Sequence, residues 1–391
     1  MQSYSFASRV SGMQSSVIRE ILKVTEQPEV ISFAGGLPAP ELFPLPAMRL
    51  AAKAALGGED GSILQYSTTE GYPPLREWIA GYLNRMDIPA APDQILVTSG
   101  SQQGLDLLAK LFIDPGDAVL VGNPTYLGAL QVFNSYQARA VPVPSDAYGM
   151  DPAALAQALR RYRPKLAYLM PTFQNPTGTT LGLERRIELV KVLAEADVPF
   201  LEDSPYRELR YSGTAMPPLS SLAGDAPHAF LGTFSKTVAP GLRLGWIATE
   251  PSLLAKLVLA KQGADLHTGT LVQRALYRYL ADSDVSSHLG RLRREYGRRR
   301  DAMVGALRRH FPAGVEWTEP EGGMFLWVTL PEGANSTELL PRAIEQRVAY
   351  VPGSPFFALP GGENCMRLNF SNTSPERIEE GIERLAQVLR G

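Results

Sequence analysis

The segment GTFSKTVAPGLRLGW (232–246) sets a lysine directly after an apolar run, between small polar residues and a Pro-Gly turn. Most lysines are solvated surface charges. Lys236 stands where a strand end would bury it. Burial beside cations depresses an ammonium's pKa and leaves a nucleophilic amine, the form that condenses with an aldehyde. Arg243 follows close to the start of another strand. Ser235, Thr233 and Arg243 together supply hydroxyls and a guanidinium fork, the set a phosphate monoester needs.

Three further segments bear on this chemistry. In LVTSGSQQGLDLL (96–108) a strand runs through Ser-Gly-Ser into a helix, whose first N–H groups make an anion site. Neither GxxxxGK[ST] nor GxGxxG is present. Alone, a small-residue helix start is an ordinary structural device; beside Lys236 and Arg243 it is the second half of a phosphate cup. MPTFQNPTG (170–178) places Asn175 in a Pro-flanked turn, and FLEDSPYREL (200–209) places Asp203 at a strand end with Tyr206 three residues on. An Asn-Pro turn is usually only a turn, and acidic strand ends are usually caps or solvated. Their order along the chain with Lys236 is what gives them weight.

These residues need elements to hold them. Six apolar runs read as strands: 94–100, 118–122, 166–171, 198–203, 228–235 and 243–248. Helix-period stretches such as 102–112 and 183–196 alternate with them, which predicts an α/β fold with a mostly parallel central sheet flanked by helices. Ligands of such sheets sit at the carboxyl ends of the strands, where Ser101, Asn175, Asp203 and Lys236 all fall. From 285 the pattern changes to a long amphipathic helix (285–311, with Leu289, Leu292, Tyr296, Met303 and Leu307 on one face), strand-like 324–330 and 366–370, and helices near 336–348 and 375–390. This predicts three parts: an N-terminal segment 1–44, with a short helix at 15–24 and a Gly/Pro-rich loop at 34–46; a large domain 45–284; and a smaller α+β domain 285–391. The six arginines of RLRREYGRRR (291–300) read as a solvated helix face.

Composition narrows the function classes. The chain has 391 residues, enough for two domains, and its 38 Lys and Arg against 40 Asp and Glu give no electrostatic reason to expect nucleic acid or an anionic membrane. One cysteine, Cys365, allows no intrachain disulfide and fits a reducing compartment. With no leader pattern and no long apolar run, the expected location is the cytoplasm. The histidines, His228, His267, His288 and His310, lie far apart, so no metal site is expected.

The ordered set SGSQQ, NPTYLG, QNPTG, EDSPYREL, GTFSK…GLRLGW and ENCMRLNFS resembles the fold-type I aminotransferases that depend on pyridoxal 5′-phosphate (PLP), over essentially the whole chain. SVIREILK (16–23), SFAGGLPAPELFP (32–44), QYSTTEGYPPLRE (65–77), KQGADLHT (261–268) and VPGSPFFA (351–358) extend the likeness to the 2-aminoadipate and broad-specificity members. The resemblance implies Lys236 as the lysine joined to the cofactor and the base that moves the substrate Cα proton. It implies Asp203 on the pyridinium nitrogen, Asn175 and Tyr206 on the ring oxygen, and Tyr126 stacked on the ring. Ser101, Gln102, Thr233, Ser235 and Arg243 would hold the phosphate, with Tyr66 reaching it from a second subunit, hence a homodimer. Arg367 would clamp the substrate α-carboxylate, with Asn175 and Gly36 also on the substrate. Arg19 and Ser16, on the short N-terminal helix, would meet the distal carboxylate of an acidic substrate. One departure is Asp203-Ser204-Pro205, where relatives often carry a second acidic or a small residue after the aspartate; the proline stiffens the approach to Tyr206.

The expected activity is amino transfer between an α-amino acid (2-aminoadipate, glutamate, or a leucine-like or aromatic one) and a 2-oxo acid such as 2-oxoglutarate, by a ping-pong mechanism. Other PLP reactions on this fold, β-elimination or decarboxylation, stay open, although Arg367 argues against α-decarboxylation. Regulators that use this fold carry a winged-helix DNA-binding domain ahead of it, and AGGLP beginning near residue 34 leaves no room for one.

Overall fold

The computed structural model describes residues 4–13, 20–21, 29–58 and 61–391. Its central sheet has eight strands, in spatial order Ile95–Thr98, Gly245–Thr249, His228–Thr233, Phe200–Asp203, Leu166–Leu169, Ala118–Asn123, Arg139–Asp146 and Gly149–Met150. All run in one direction except Gly245–Thr249 and the terminal Gly149–Met150. The period-2 pleat splits each strand between two cores. Leu96, Val121, Leu201, Leu231 and Ile247 pack on one face; Leu120, Ala167 and Phe200, and separately Val97 and Phe230, pack on the other. Burial on both faces is why these strands read as unbroken apolar runs. Each fully buried leucine, such as Leu231, contributes about 2 kcal/mol of transfer free energy.

All six expected strands are present. The strand Arg139–Asp146 was not among those expected; it contains Pro142 and Pro144, which argue against a central strand. It lies near the sheet edge: it pairs along its length with Ala118–Asn123 and on its outer side only through Ser145 and Asp146. Prolines are tolerated there because no central ladder needs their missing N–H.

The second sheet is antiparallel, in the order Glu316–Trp317, Phe325–Thr329, Cys365–Asn369, Val351–Pro352. The helices Val285–His310 and Pro375–Arg390 pack on it through Leu292, Tyr296, Met303, Ile378 and Ile382. Ile31 and Phe33 join the same core, and Ile31–Ser32 pairs with Val348–Ala349, so residues 31–33 are tied to this part of the molecule. The arginine-rich face of the long helix is not wholly solvated. Arg299 is buried, bonds Glu41 and Glu295 and donates to the Ser371 carbonyl, which anchors the loop after Phe33. Among the described residues no helix is long and apolar enough to cross a membrane.

Candidate active site

The sheet topology gathers the chemistry. The parallel strands end at Thr98, Asn123, Leu169, Asp203 and Thr233 on one edge, and the antiparallel Gly245–Thr249 begins there. A groove of about 1340 Å³ opens along this edge and continues down the helix Leu127–Ser135 to Arg139. Ser101, Gln102, Tyr126 and Asn175 line it, as do Asp203, Tyr206, Thr233 and Ser235, and also Lys236, Arg243, Arg367 and Gly36. Tyr66 does not: it is 78% exposed, and its ring lies perpendicular to that of His267. Arg19 and Ser16 lie outside the described residues.

Lys236 follows the buried strand His228–Thr233, and its Nζ donates to the Gly36 carbonyl at 2.8 Å. Burial, with Arg367 and Arg243 nearby, pushes its pKa down to about 8. Gly36, expected on the substrate side, therefore also meets the lysine. Asp203 ends its strand fully enclosed. Oδ2 accepts from the Tyr168 hydroxyl at 2.7 Å, while Oδ1 is buried with no partner. Burial raises this carboxyl to about 6; the Tyr168 hydrogen bond opposes the rise and the Glu202 charge adds to it. A buried carboxylate oxygen without a donor costs free energy unless a ligand supplies the proton.

The helix Ser101–Phe112 starts at Gly100 with no side-chain cap, leaving its first N–H groups for an anion. Gly100 has φ +83°, and a Cβ there would lie 2.5 Å from Arg243 Nη2. A Cβ at Gly245 would fall 2.5 Å from the Ser101 amide nitrogen, so glycine lets the helix start approach the sheet. Arg243 itself is exposed and makes only long 3.4 Å contacts to the Pro240 and Ser99 carbonyls. Thr233 Oγ1 donates to Ser235 Oγ at 3.0 Å and accepts from the Ser235 amide, which fixes the turn before Lys236.

Across the groove, Arg367 comes from the strand Cys365–Asn369 of the second sheet and is almost fully buried. Nη1 donates to Asn175 Oδ1 at 2.9 Å and Nη2 to the Ala34 carbonyl at 2.7 Å; Nε has no partner. The guanidinium stacks 4.2 Å from the Phe325 ring centroid, and burial pulls its pKa down to about 10. Tyr206 is buried edge-on to Phe325, and burial raises its hydroxyl pKa. Tyr126 caps its helix, donates to Gln102 Oε1 at 3.4 Å, and is likewise raised by burial, then by the Asp203 charge.

Sequence reasoning missed Tyr168, Phe325 and Phe356. Tyr168 was legible in principle: a phenol inside the buried run LAYL must find an acceptor, and the neighbouring strand supplies Asp203. Phe325 and Phe356, which flank Arg367, gave no signal distinct from core aromatics.

The family model for aminotransferase class I and II matches residues 29–385. The chain is 44% identical to an aromatic-amino-acid aminotransferase from Thermococcus litoralis over 98% of this chain and 94% of that one. It is also 44% identical to a 2-aminoadipate transaminase from Thermus thermophilus over 100% of this chain and 97% of that one. The crystal structure of an α-aminoadipate aminotransferase from Thermus thermophilus, complexed with N-(5′-phosphopyridoxyl)-L-leucine, superposes with a TM-score of 0.92 at 43% identity, covering 99% of this chain and 97% of that one.

Proposed function

The chain belongs to the class I and II aminotransferases, PLP-dependent enzymes of fold type I, and from that premise we propose a role for each groove residue and a substrate range. The residues fit the cofactor. The unpartnered Asp203 Oδ1 suits a pyridine N–H, the uncapped helix start beside Arg243 suits a phosphate, and the amine with lowered pKa suits an aldehyde. When bound, PLP supplies that aldehyde and a ring that accepts electrons once its nitrogen is protonated.

Lys236 would hold the cofactor and serve as the base for the substrate Cα proton. Asp203 Oδ1 accepts the ring N–H and keeps it protonated. Asn175 and Tyr206 hydrogen-bond the ring oxygen, and Tyr126 covers one ring face. Ser101, Gln102, Thr233, Ser235 and Arg243 hold the phosphate. Arg367 grips the substrate α-carboxylate with its fork, and its contact with Asn175 sets that fork relative to the ring. Gly36 lies against both substrate and lysine. Tyr66, exposed and off the groove, serves the phosphate of a second copy in a homodimer. The three-part division at residues 44 and 284 carries this arrangement, with Arg367 and the Ala34–Gly36 loop on one side and the PLP-holding residues on the other.

For substrates, apolar side chains from Met13, Leu127, Leu130, Phe357 and Leu359 line the groove. The similar proteins include an aromatic-amino-acid and a 2-aminoadipate enzyme. Both support a broad range, acidic and bulky apolar amino acids, with glutamate and 2-oxoglutarate as one pair, in a ping-pong cycle. The observation that carries the reading is the joint placement of Lys236, the unpartnered Asp203 oxygen and the buried Arg367 in one groove. An amino-donor panel against 2-oxoglutarate and pyruvate, with each half-reaction followed spectroscopically, tests it. Arg19→Ala should raise KM for acidic substrates about tenfold or more, a charge-assisted hydrogen bond's worth, and spare leucine and phenylalanine. Equal losses for both kinds would remove Arg19 from substrate recognition.

A further inference from the structure

The last turn of the helix Pro251–Gln262 carries a lysine that is not on the surface. Lys261 is 0% exposed, and its Nζ makes three hydrogen bonds: to Asp265 Oδ1 at 2.7 Å, Asp265 Oδ2 at 2.9 Å and Gln103 Oε1 at 2.9 Å. The same two acceptor side chains hold Ser99. Gln103 Oε1 accepts the Ser99 amide at 2.8 Å, and Asp265 Oδ2 accepts the Ser99 hydroxyl at 3.0 Å and Gln103 Nε2 at 2.7 Å. The third polar group of Ser99, its carbonyl, meets Arg243 Nη2. Ser99 is thus held at its N–H, hydroxyl and carbonyl, and it is the residue that feeds Gly100 and the uncapped start of the helix at Ser101.

A buried ammonium is costly, and a well-packed apolar residue would serve the fold as well or better. Its position directly behind the turn points elsewhere. We infer that Lys261, with Asp265, is a positioning residue for the cofactor phosphate. The pair locks Gln103 and Ser99, and through them it sets the direction of the Ser101 N–H and hydroxyl and of the Arg243 guanidinium. The inference rests on the reading that the Ser99–Ser101 turn holds the phosphate. Burial pushes the Lys261 pKa down, and Asp265 opposes this, as an ion pair held for geometry requires.

The test compares two ligands that differ only in the phosphate. PLP and pyridoxal are titrated into the apoprotein, and the ratio of their dissociation constants isolates the phosphate contribution. Lys261→Met should weaken PLP roughly tenfold and leave pyridoxal within about twofold, because one charge-assisted geometry is lost at the phosphate alone. Should Lys261→Met fail to fold, Asp265→Asn keeps the shape, removes the charge and carries the same comparison. Equal weakening of both ligands, or no change in either, would overturn the inference. Arg243→Ala separates it from the underlying reading: this variant must lose PLP selectively, and equal loss of PLP and pyridoxal would place the phosphate elsewhere. A selective loss in Arg243→Ala with none in Lys261→Met would remove the positioning role and keep the phosphate site.

Discussion

Two buried lysines lie 25 positions apart, and their surroundings set them to opposite tasks. Lys236 has one backbone carbonyl as acceptor, and its nearest charges are the cations Arg367 and Arg243. No carboxylate among the described residues forms an ion pair with it. Lys261 has no exposed surface and carries a bidentate carboxylate and an amide oxygen. Burial lowers both pKa values, but only Lys261 has a neighbour that keeps its proton in place. Burial depresses both amines, and the sign of the charges around each decides whether that depression is deepened or opposed. Lys236 is built to give up its proton near neutral pH, and Lys261 to keep it.

The sharpest way to break this contrast is to remove each amine. Lys236→Ala should lose at least about 10⁴-fold in turnover, the scale of deleting a covalent and proton-transfer group, and no excess of PLP should restore it. Borohydride reduction of the wild-type holoenzyme should fix the cofactor to Lys236 alone. Lys261→Met should recover most of its activity once PLP saturates it. Label on another lysine, or a Lys261 variant as dead as the Lys236 one at saturating PLP, would erase the distinction. The free amine is the nucleophile, so PLP capture by the apoprotein should rise with pH through about 8, close to tenfold per unit below it. A midpoint near the ordinary lysine value would mean that neither burial nor the two cations act on Lys236.

A second contrast lies within Asp203, whose two oxygens differ: one is held by a phenol and one is bare. Asp203→Asn should fold, bind PLP and lose at least about 100-fold in kcat, since an amide cannot hold the ring nitrogen protonated. Near-normal kcat would assign that role to another group.

How much of this was legible depended on whether a residue's job was local. Strand runs such as LAYL and FLED declare themselves because both faces are buried, and the polar residues that trail them fall at the ligand edge by topology. Lys236 and Asp203 were therefore readable in place. The strand Arg139–Asp146 was not, because its prolines obey an edge position that only the assembled sheet reveals. Lys261 and Asp265 show only an i,i+4 spacing in the sequence; the burial of Lys261 and the pair's grip on Gln103 and Ser99, more than 150 positions away, exist only in the assembled fold. The arginine-rich helix misled in the same way at Arg299, whose partner Glu41 lies on a distant loop.

The smallest effect concerns the phenol that tells the two Asp203 oxygens apart. Tyr168 is buried in the strand beside Asp203, and its hydroxyl gives Asp203 Oδ2 its hydrogen bond in the fold. That bond opposes the rise that burial and Glu202 impose, holding the carboxyl at about 6. Tyr168→Phe removes it, so the Asp203 pKa should climb by about one unit or more, the worth of a charge-assisted hydrogen bond. The sign follows. A carboxyl whose folded pKa lies above its unfolded value binds more protons when folded, so apoprotein stability falls as pH rises from about 4 to about 6. In Tyr168→Phe this fall should extend to higher pH. In the loaded enzyme a protonated Asp203 cannot accept the ring N–H, so the acid limb of kcat against pH should move upward, with a loss of about fivefold near pH 6 and almost none near pH 8. A profile that superimposes on the wild type would show that the phenol only fills space. A uniform loss at every pH would show that it places the carboxylate without tuning it.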